Sequence, residues 1–173
     1  MSTAAVYRLR CACGEVECAG TGDPIGTAVC YCDDCQAAAR AIEAMSGAMP
    51  GAVPVADADG GTALSLFDTR NFSVLRGADK LVSHRLRETS PTRRMIAGCC
   101  NSAMFLGFDR GPFWVSVMSN RFVGAPPAIE FRQMVKYRVT PLPWPDDAPR
   151  SRGFAPRFIW RTIVAGLARL VRR

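Results

Sequence analysis

The stretch AVCYCDDCQAAAR, residues 28–40, sets Cys30, Cys32 and Cys35 close together and then turns abruptly rich in alanine. The residues leading into it, TAVCYC from Thr27 to Cys32, are β-prone. From Asp33 to Met45 the pattern predicts a helix capped by Asp33 or Asp34. A strand ending in closely spaced thiols and handing over to a helix N-terminus suits a metal site. Short spacings let the sulfurs converge on one ion at little ordering cost, and the helix dipole favours a thiolate at Cys35.

The other cysteines extend this reading. The chain has 8 cysteines and 1 histidine in 173 residues, so transition-metal chemistry here must rest on thiolates. Cys11-Ala12-Cys13-Gly14 lies near the N-terminus, Cys99 and Cys100 are adjacent, and Cys18 stands apart. Two zinc sites are expected. Cys11, Cys13, Cys99 and Cys100 form a closed structural one, tying the first strand to a turn about 85 residues later. Cys30, Cys32 and Cys35 form a second with no evident fourth ligand, and an open position there would take water or a substrate heteroatom. Other readings stay open. Both ions could be purely structural, the cysteines could pair as disulfides, or Cys18, Asp33 or Asp34 could close the second site. Cys18 could also replace Cys99 or Cys100, although in its strand it reads first as a buried thiol. His84, in the alternating run LVSHRLRE, reads as a strand residue and not a ligand; Tyr31 is placed on the face opposite its flanking cysteines.

Strand-like runs recur at 5–10, 15–19, 62–67, 72–76, 81–88, 93–97, 103–108 and 113–119, separated by DTRN, GADK, TSPT and DRGP. Residues 46–61, with four glycines and two prolines, read as a loop. Many short strands with one helix predict a mostly antiparallel β domain over residues 1–139. Residues 140–156, with five prolines, read as a linker. Residues 157–173 form a basic amphipathic helix on a helical wheel. Its five arginines fall on one half; Ile159, Trp160, Ile163, Val164, Leu167, Leu170 and Val171 fall on the other, with Phe158 as the exception.

The net charge of +7 is concentrated in this last segment. Residues 151–173 hold six arginines and no acid, which leaves the body nearly neutral and argues for no nucleic-acid partner. For the helix, two roles are open: peripheral binding to an anionic membrane surface, or packing on the domain or in a homodimer. The N-terminal MSTAAVYRLRC has no signal-peptide core and no apolar run reaches about 20 residues, so a cytoplasmic location is expected.

CACGEVE, AVCYCDDCQAAAR, NFSVLRG and GCCNSAMF, in that order, resemble the glutathione-dependent formaldehyde-activating enzyme family, also called centromere-protein-V-like, over roughly residues 8–120. The resemblance implies a zinc-clamped β-tent fold. It implies a structural zinc held by Cys11, Cys13 and Cys100 together with a partner cysteine, and a second zinc at Cys30, Cys32 and Cys35 near the active site. It also implies carbon–sulfur lyase activity on a small thiol or thiol adduct such as S-hydroxymethylglutathione. The non-catalytic alternative is a zinc-stabilised binding module. Two departures stand out: Ala97 occupies the position of the first cysteine of the late CxxC, leaving Cys99 as its substitute, and Tyr31 replaces the usual histidine. No catalytic residue transfers.

Overall fold

The computed structural model describes residues 5–45 and 53–171. Its strands are β1 (Val6–Arg10), β2 (Glu17–Thr21), β3 (Gly26–Cys30), β4 (Thr62–Asp68), β5 (Phe72–Arg76), β6 (Leu81–His84), β7 (Thr92–Ala97), β8 (Ser102–Phe108), β9 (Trp114–Met118) and β10 (Phe131–Gln133). Two helices join them, α1 (Asp33–Glu43) and α2 (Pro156–Val171). The fold is mostly β with two helices, as the sequence predicts.

The strands form a three-stranded sheet, β1-β2-β5, and a seven-stranded sheet, β10-β3-β4-β9-β8-β7-β6. Side chains alternate across a strand, so β4 sends Phe67 to one face of the large sheet and Leu64 and Leu66 to the other. On the first face Phe67, Met104 and Val117 pack against Leu9, Val16 and Cys18 of the small-sheet side. On the opposite face Ala39 and Ile42 of α1 pack over Leu64, Ala103 and Met118. A smaller cluster, Ala28, Phe131 and Ala155 with Phe158, seats the start of α2 beside β3 and β10.

Every strand pair is antiparallel except β10, which runs parallel to β3. That strand is absent from the sequence reading. The run expected over 81–88 stops at His84, because the next residues close a turn in which Ser90 N–H donates to Arg87 C=O (3.0 Å) and the Arg85 guanidinium also reaches Ser90 C=O. β2 starts at Glu17 and α1 ends at Glu43, each two residues from expectation. The loop expected over 46–61 lies outside the described residues as far as position 52.

Residues 140–156 lie along the body. Arg150 bridges to Arg132 of β10, Trp144 meets the Tyr31 ring edge-on at 5.5 Å, and Ala155 is buried.

Candidate metal centres

The first cysteine group is assembled by two turns. After β1 the chain turns tightly: Cys11 N–H donates to Val16 C=O and Gly14 N–H to Cys11 C=O, both at 3.0 Å, with Gly14 at φ 81°. The β7–β8 hairpin turn presents Cys99 and Cys100, with Asn101 left-handed at φ 53° and its amide donating to Ile42 C=O of α1. The turns are pinned together where Ala12 N–H donates to Ser102 Oγ at 3.0 Å.

There the sulfurs of Cys11, Cys13, Cys99 and Cys100 all lie within 4.8 Å of one another. Cys11 Sγ is 3.6 Å from Cys13 Sγ and 3.9 Å from Cys99 Sγ; Cys13 to Cys99 is 3.4 Å, and Cys99 to Cys100 is 4.0 Å. Tetrahedral zinc with bonds of about 2.3 Å sets sulfurs about 3.8 Å apart. The group therefore fits one zinc ion with four ligands, and the adjacent pair Cys99–Cys100 spans such an edge. Against its burial, the Ser102 hydroxyl, the Cys13 amide and the neighbouring thiols bring Cys100 down to about 6. Burial pushes the Cys11 thiol up. Four clustered thiols cannot all ionise without a cation to balance them.

Cys18 takes no part. Its side chain is buried in the core between the sheets, and burial raises its thiol to about 12, as expected of a small apolar residue. Ala97 is likewise wholly buried, and the Cys99 sulfur, two residues on, lies in the group instead.

The second group is built at the junction of β3 and α1. Cys30 ends the strand, Cys32 is the N-cap of α1, and Cys35 lies in its first turn. Their sulfurs also lie within 4.8 Å of one another. The Cys30 and Cys35 thiols, with the Asp34 and Cys35 amides at the helix N-terminus, hold Cys32 down to about 2 despite its burial. Cys30 is pushed up to about 12, chiefly by Cys32, and Cys35 is raised as well. The trio carries one thiolate readily and needs a cation to carry three. Among the described residues no fourth His, Cys, Asp or Glu stands with it: Asp33 and Asp34 are exposed on α1, and Cys18 is in the core.

The trio opens into a cleft of about 420 Å³, mostly apolar, walled by Leu66, Leu106, Phe108 and Trp114 of the sheet and by Phe158 and Ile159 of α2. Among the described residues three buried polar atoms near the trio have no hydrogen-bond partner: Thr62 Oγ1, Gln133 Oε1 and Arg94 Nη1. Thr62 and Gln133 are the residues paired with Cys30 on its two neighbouring strands, so both side chains share its face of the sheet. Arg94, 6% exposed, donates through Nη2 to Asp34 C=O at 3.2 Å and lines the cleft beside Cys35. Unpaired buried polar groups are rare in folded proteins, and three around one site suit a polar ligand. The sequence reading missed all three. Only a charged residue in the strand-like run RRMIA hinted at Arg94.

Tyr31 points to the opposite face, as expected, and is wholly buried. Its hydroxyl donates to Asp59 Oδ2 at 2.6 Å, and the Arg132 guanidinium reaches both Tyr31 Oη and Asp59 Oδ2. Arg132 also forks onto Asp147 at 2.7 and 2.9 Å. His84 sits half-buried in β6, paired across the ladder with Arg94, and belongs to neither sulfur group.

Residues 6–53 match the family model described as glutathione-dependent formaldehyde-activating enzyme. This span includes Cys11, Cys13, Cys30, Cys32 and Cys35. None of the curated proteins compared with the chain matches it. Among solved structures, a crystal structure of a Rhodobacter sphaeroides protein is similar at 15% identity, covering 69% of this chain and 91% of its own, with a TM-score of 0.48. Over residues 6–53 the chain carries the sequence signature of the glutathione-dependent formaldehyde-activating enzyme family, to which its cysteine blocks point.

Proposed function

We propose that Cys30, Cys32 and Cys35 hold a zinc ion at a substrate cleft, and that the protein makes or breaks the carbon–sulfur bond of a thiol–aldehyde adduct such as S-hydroxymethylglutathione. Cys11, Cys13, Cys99 and Cys100 would hold a second, structural ion. The observation that carries this reading is the open trio: three converging sulfurs with no fourth His, Cys, Asp or Glu beside them among the described residues, facing a cleft lined by Arg94 and Gln133. Zinc bound by three thiolates would supply a Lewis-acid position that steadies developing sulfur or oxygen charge.

The chain's own residues do the rest. Arg94 Nη1 is a fixed cationic donor for a carboxylate or carbonyl of the thiol substrate, held in place by its bond to Asp34 C=O. Gln133 Oε1 is an acceptor suited to a substrate hydroxyl or amide. Phe108, Trp114 and Phe158 keep water from the reacting bond.

The zinc-loaded protein is expected to speed equilibration of formaldehyde with glutathione, followed by NMR of the hydroxymethyl carbon, and Cys35→Ser to abolish the effect. Arg94→Gln should raise KM more than it lowers kcat. Rates equal to the uncatalysed control across several thiols would overturn the proposal in favour of a binding module.

A further inference from the structure

Helix α2 sits on the body the opposite way round from an ordinary surface helix. Its polar and small residues face inward. Arg169 donates to Asp68 Oδ1, Thr69 Oγ1 and Phe113 C=O at 2.9–3.0 Å, and Arg161 pairs with Glu130. Gly166 lies against the Phe113 ring, leaving little room for a side chain. Phe158, the one large apolar residue on the arginine half of the wheel, packs at 6.1 Å on both Phe131 and Phe154. The outer face is apolar: Ile159, Trp160, Ile163, Val164, Leu167, Leu170 and Val171 are 43–85% exposed. A continuous stripe of seven large apolar side chains is more than a monomer ordinarily leaves in water.

We infer that this outer face of α2 docks on an anionic lipid surface. Charge decides the occupant. Residues 151–173 contain no Asp or Glu, and the stripe is flanked by the exposed Arg157 and followed in sequence by Arg172 and Arg173. Of the acids beside α2, Glu130 and Asp68 are already held by Arg161 and Arg169, and Asp23 makes no ion pair among the described residues. A second copy placed stripe to stripe would bring a rim carrying Arg157 against a helix with no acidic side chain to meet it, an arrangement charge does not favour. Lipid phosphates meet the same rim favourably while acyl chains take the stripe. Trp160, 65% exposed near the N-terminal end of the stripe, suits the headgroup boundary, where an amphipathic ring is most at home. Ile159 belongs both to the stripe and to the cleft wall, so a bound bilayer would lie along the edge of the cleft.

The test is co-sedimentation of the full zinc-loaded chain with phosphatidylcholine vesicles and with mixed phosphatidylcholine–phosphatidylglycerol vesicles. Binding to the mixed vesicles alone, weakening as salt is raised, is expected. Arg157→Gln should weaken it about fivefold, the effect of one basic residue at an anionic surface. Ile163→Asp with Leu167→Asp should abolish binding while leaving zinc content and circular dichroism unchanged, since both side chains point away from the body. Equal binding to both vesicle types, or binding retained by the double variant, would overturn the inference. So would a dimer seen by ultracentrifugation, lost in the double variant, in a chain that ignores anionic vesicles.

Discussion

Replacing Arg132 by methionine tests how the second cysteine group is held in place. The Arg132 side chain is 5% exposed and lies between Asp59, 10% exposed, and Asp147, 40% exposed. Methionine fills much of the volume but removes the cation. Asp59 then keeps only neutral donors, the Tyr31 hydroxyl at 2.6 Å and the Gly61 amide at 3.0 Å. Stranding a buried carboxylate in this way costs about 3–5 kcal/mol. The Asp147 arm, open to solvent, adds at most about 1 kcal/mol. For a chain of this size the loss corresponds to a fall in Tm of roughly 10 °C. The companion Arg132→Met/Asp59→Asn variant removes the stranded charge and should recover a large part of it. The assay is urea unfolding of the zinc-loaded proteins at pH 7, followed by far-UV circular dichroism. Because Tyr31 lies between Cys30 and Cys32, the single variant should also release one zinc equivalent to a chelator faster than the parent. A single variant within 1 kcal/mol of the parent, or a double variant less stable than the single, would refute the reasoning.

Other outcomes follow from the same geometry. Gly61→Ala would drive a Cβ into Val29 and to 2.9 Å from the Tyr31 ring, with a loss of about 1–3 kcal/mol measurable by the same unfolding assay. Cys13→Ser should lower zinc from two equivalents to one and markedly reduce Tm, because that group joins two turns distant in sequence, whereas Cys35→Ser should lose one equivalent with a much smaller change in Tm. The Arg132 hydrogen bonds hold the Asp147 carboxyl below the usual carboxylate range. A depressed folded value means this pair stabilises the protein fully above about pH 4 and stops doing so as pH falls through the folded value. The Tm gap between parent and Asp147→Asn should therefore be constant from pH 7 to about pH 5 and close below pH 4.

The elements that were legible in the sequence are those whose signal is local. Cys30, Cys32 and Cys35 lie within one strand–helix junction, and alternation in TALSLF and FWVSVM marks β4 and β9 directly. β10 was not legible, because Phe131-Arg132-Gln133 carries one apolar residue and two polar ones. Its stability comes from β3, about 100 positions earlier, and from the burial of Arg132 against Asp59 and Asp147. Thr62 and Gln133 escaped for the same reason: cross-strand register, not sequence spacing, sets them beside Cys30, and Arg94 reaches the trio across the cleft from β7.

Helix α2 shows where a local pattern was read correctly and still left its orientation undetermined. The wheel separates arginines from apolar residues, and burial of apolar area alone would turn Ile163 and Leu167 inward. Two features of the body reverse that choice. Asp68 and Glu130 stand where Arg169 and Arg161 can reach them, and Phe131 offers a seat only to Phe158, on the arginine side. Once Phe158 is fixed against Phe131, helical geometry alone carries Ile163 and Leu167 outward, since they lie roughly 140° and 180° around the wheel from it. The exposure of the stripe is thus imposed by packing at one end of the helix, and removing that anchor tests it: Phe158→Ala should loosen α2 from the body and let the stripe turn inward, which would appear as lower tryptophan accessibility to acrylamide at Trp160, whereas unchanged quenching would place control of the orientation with the two ion pairs.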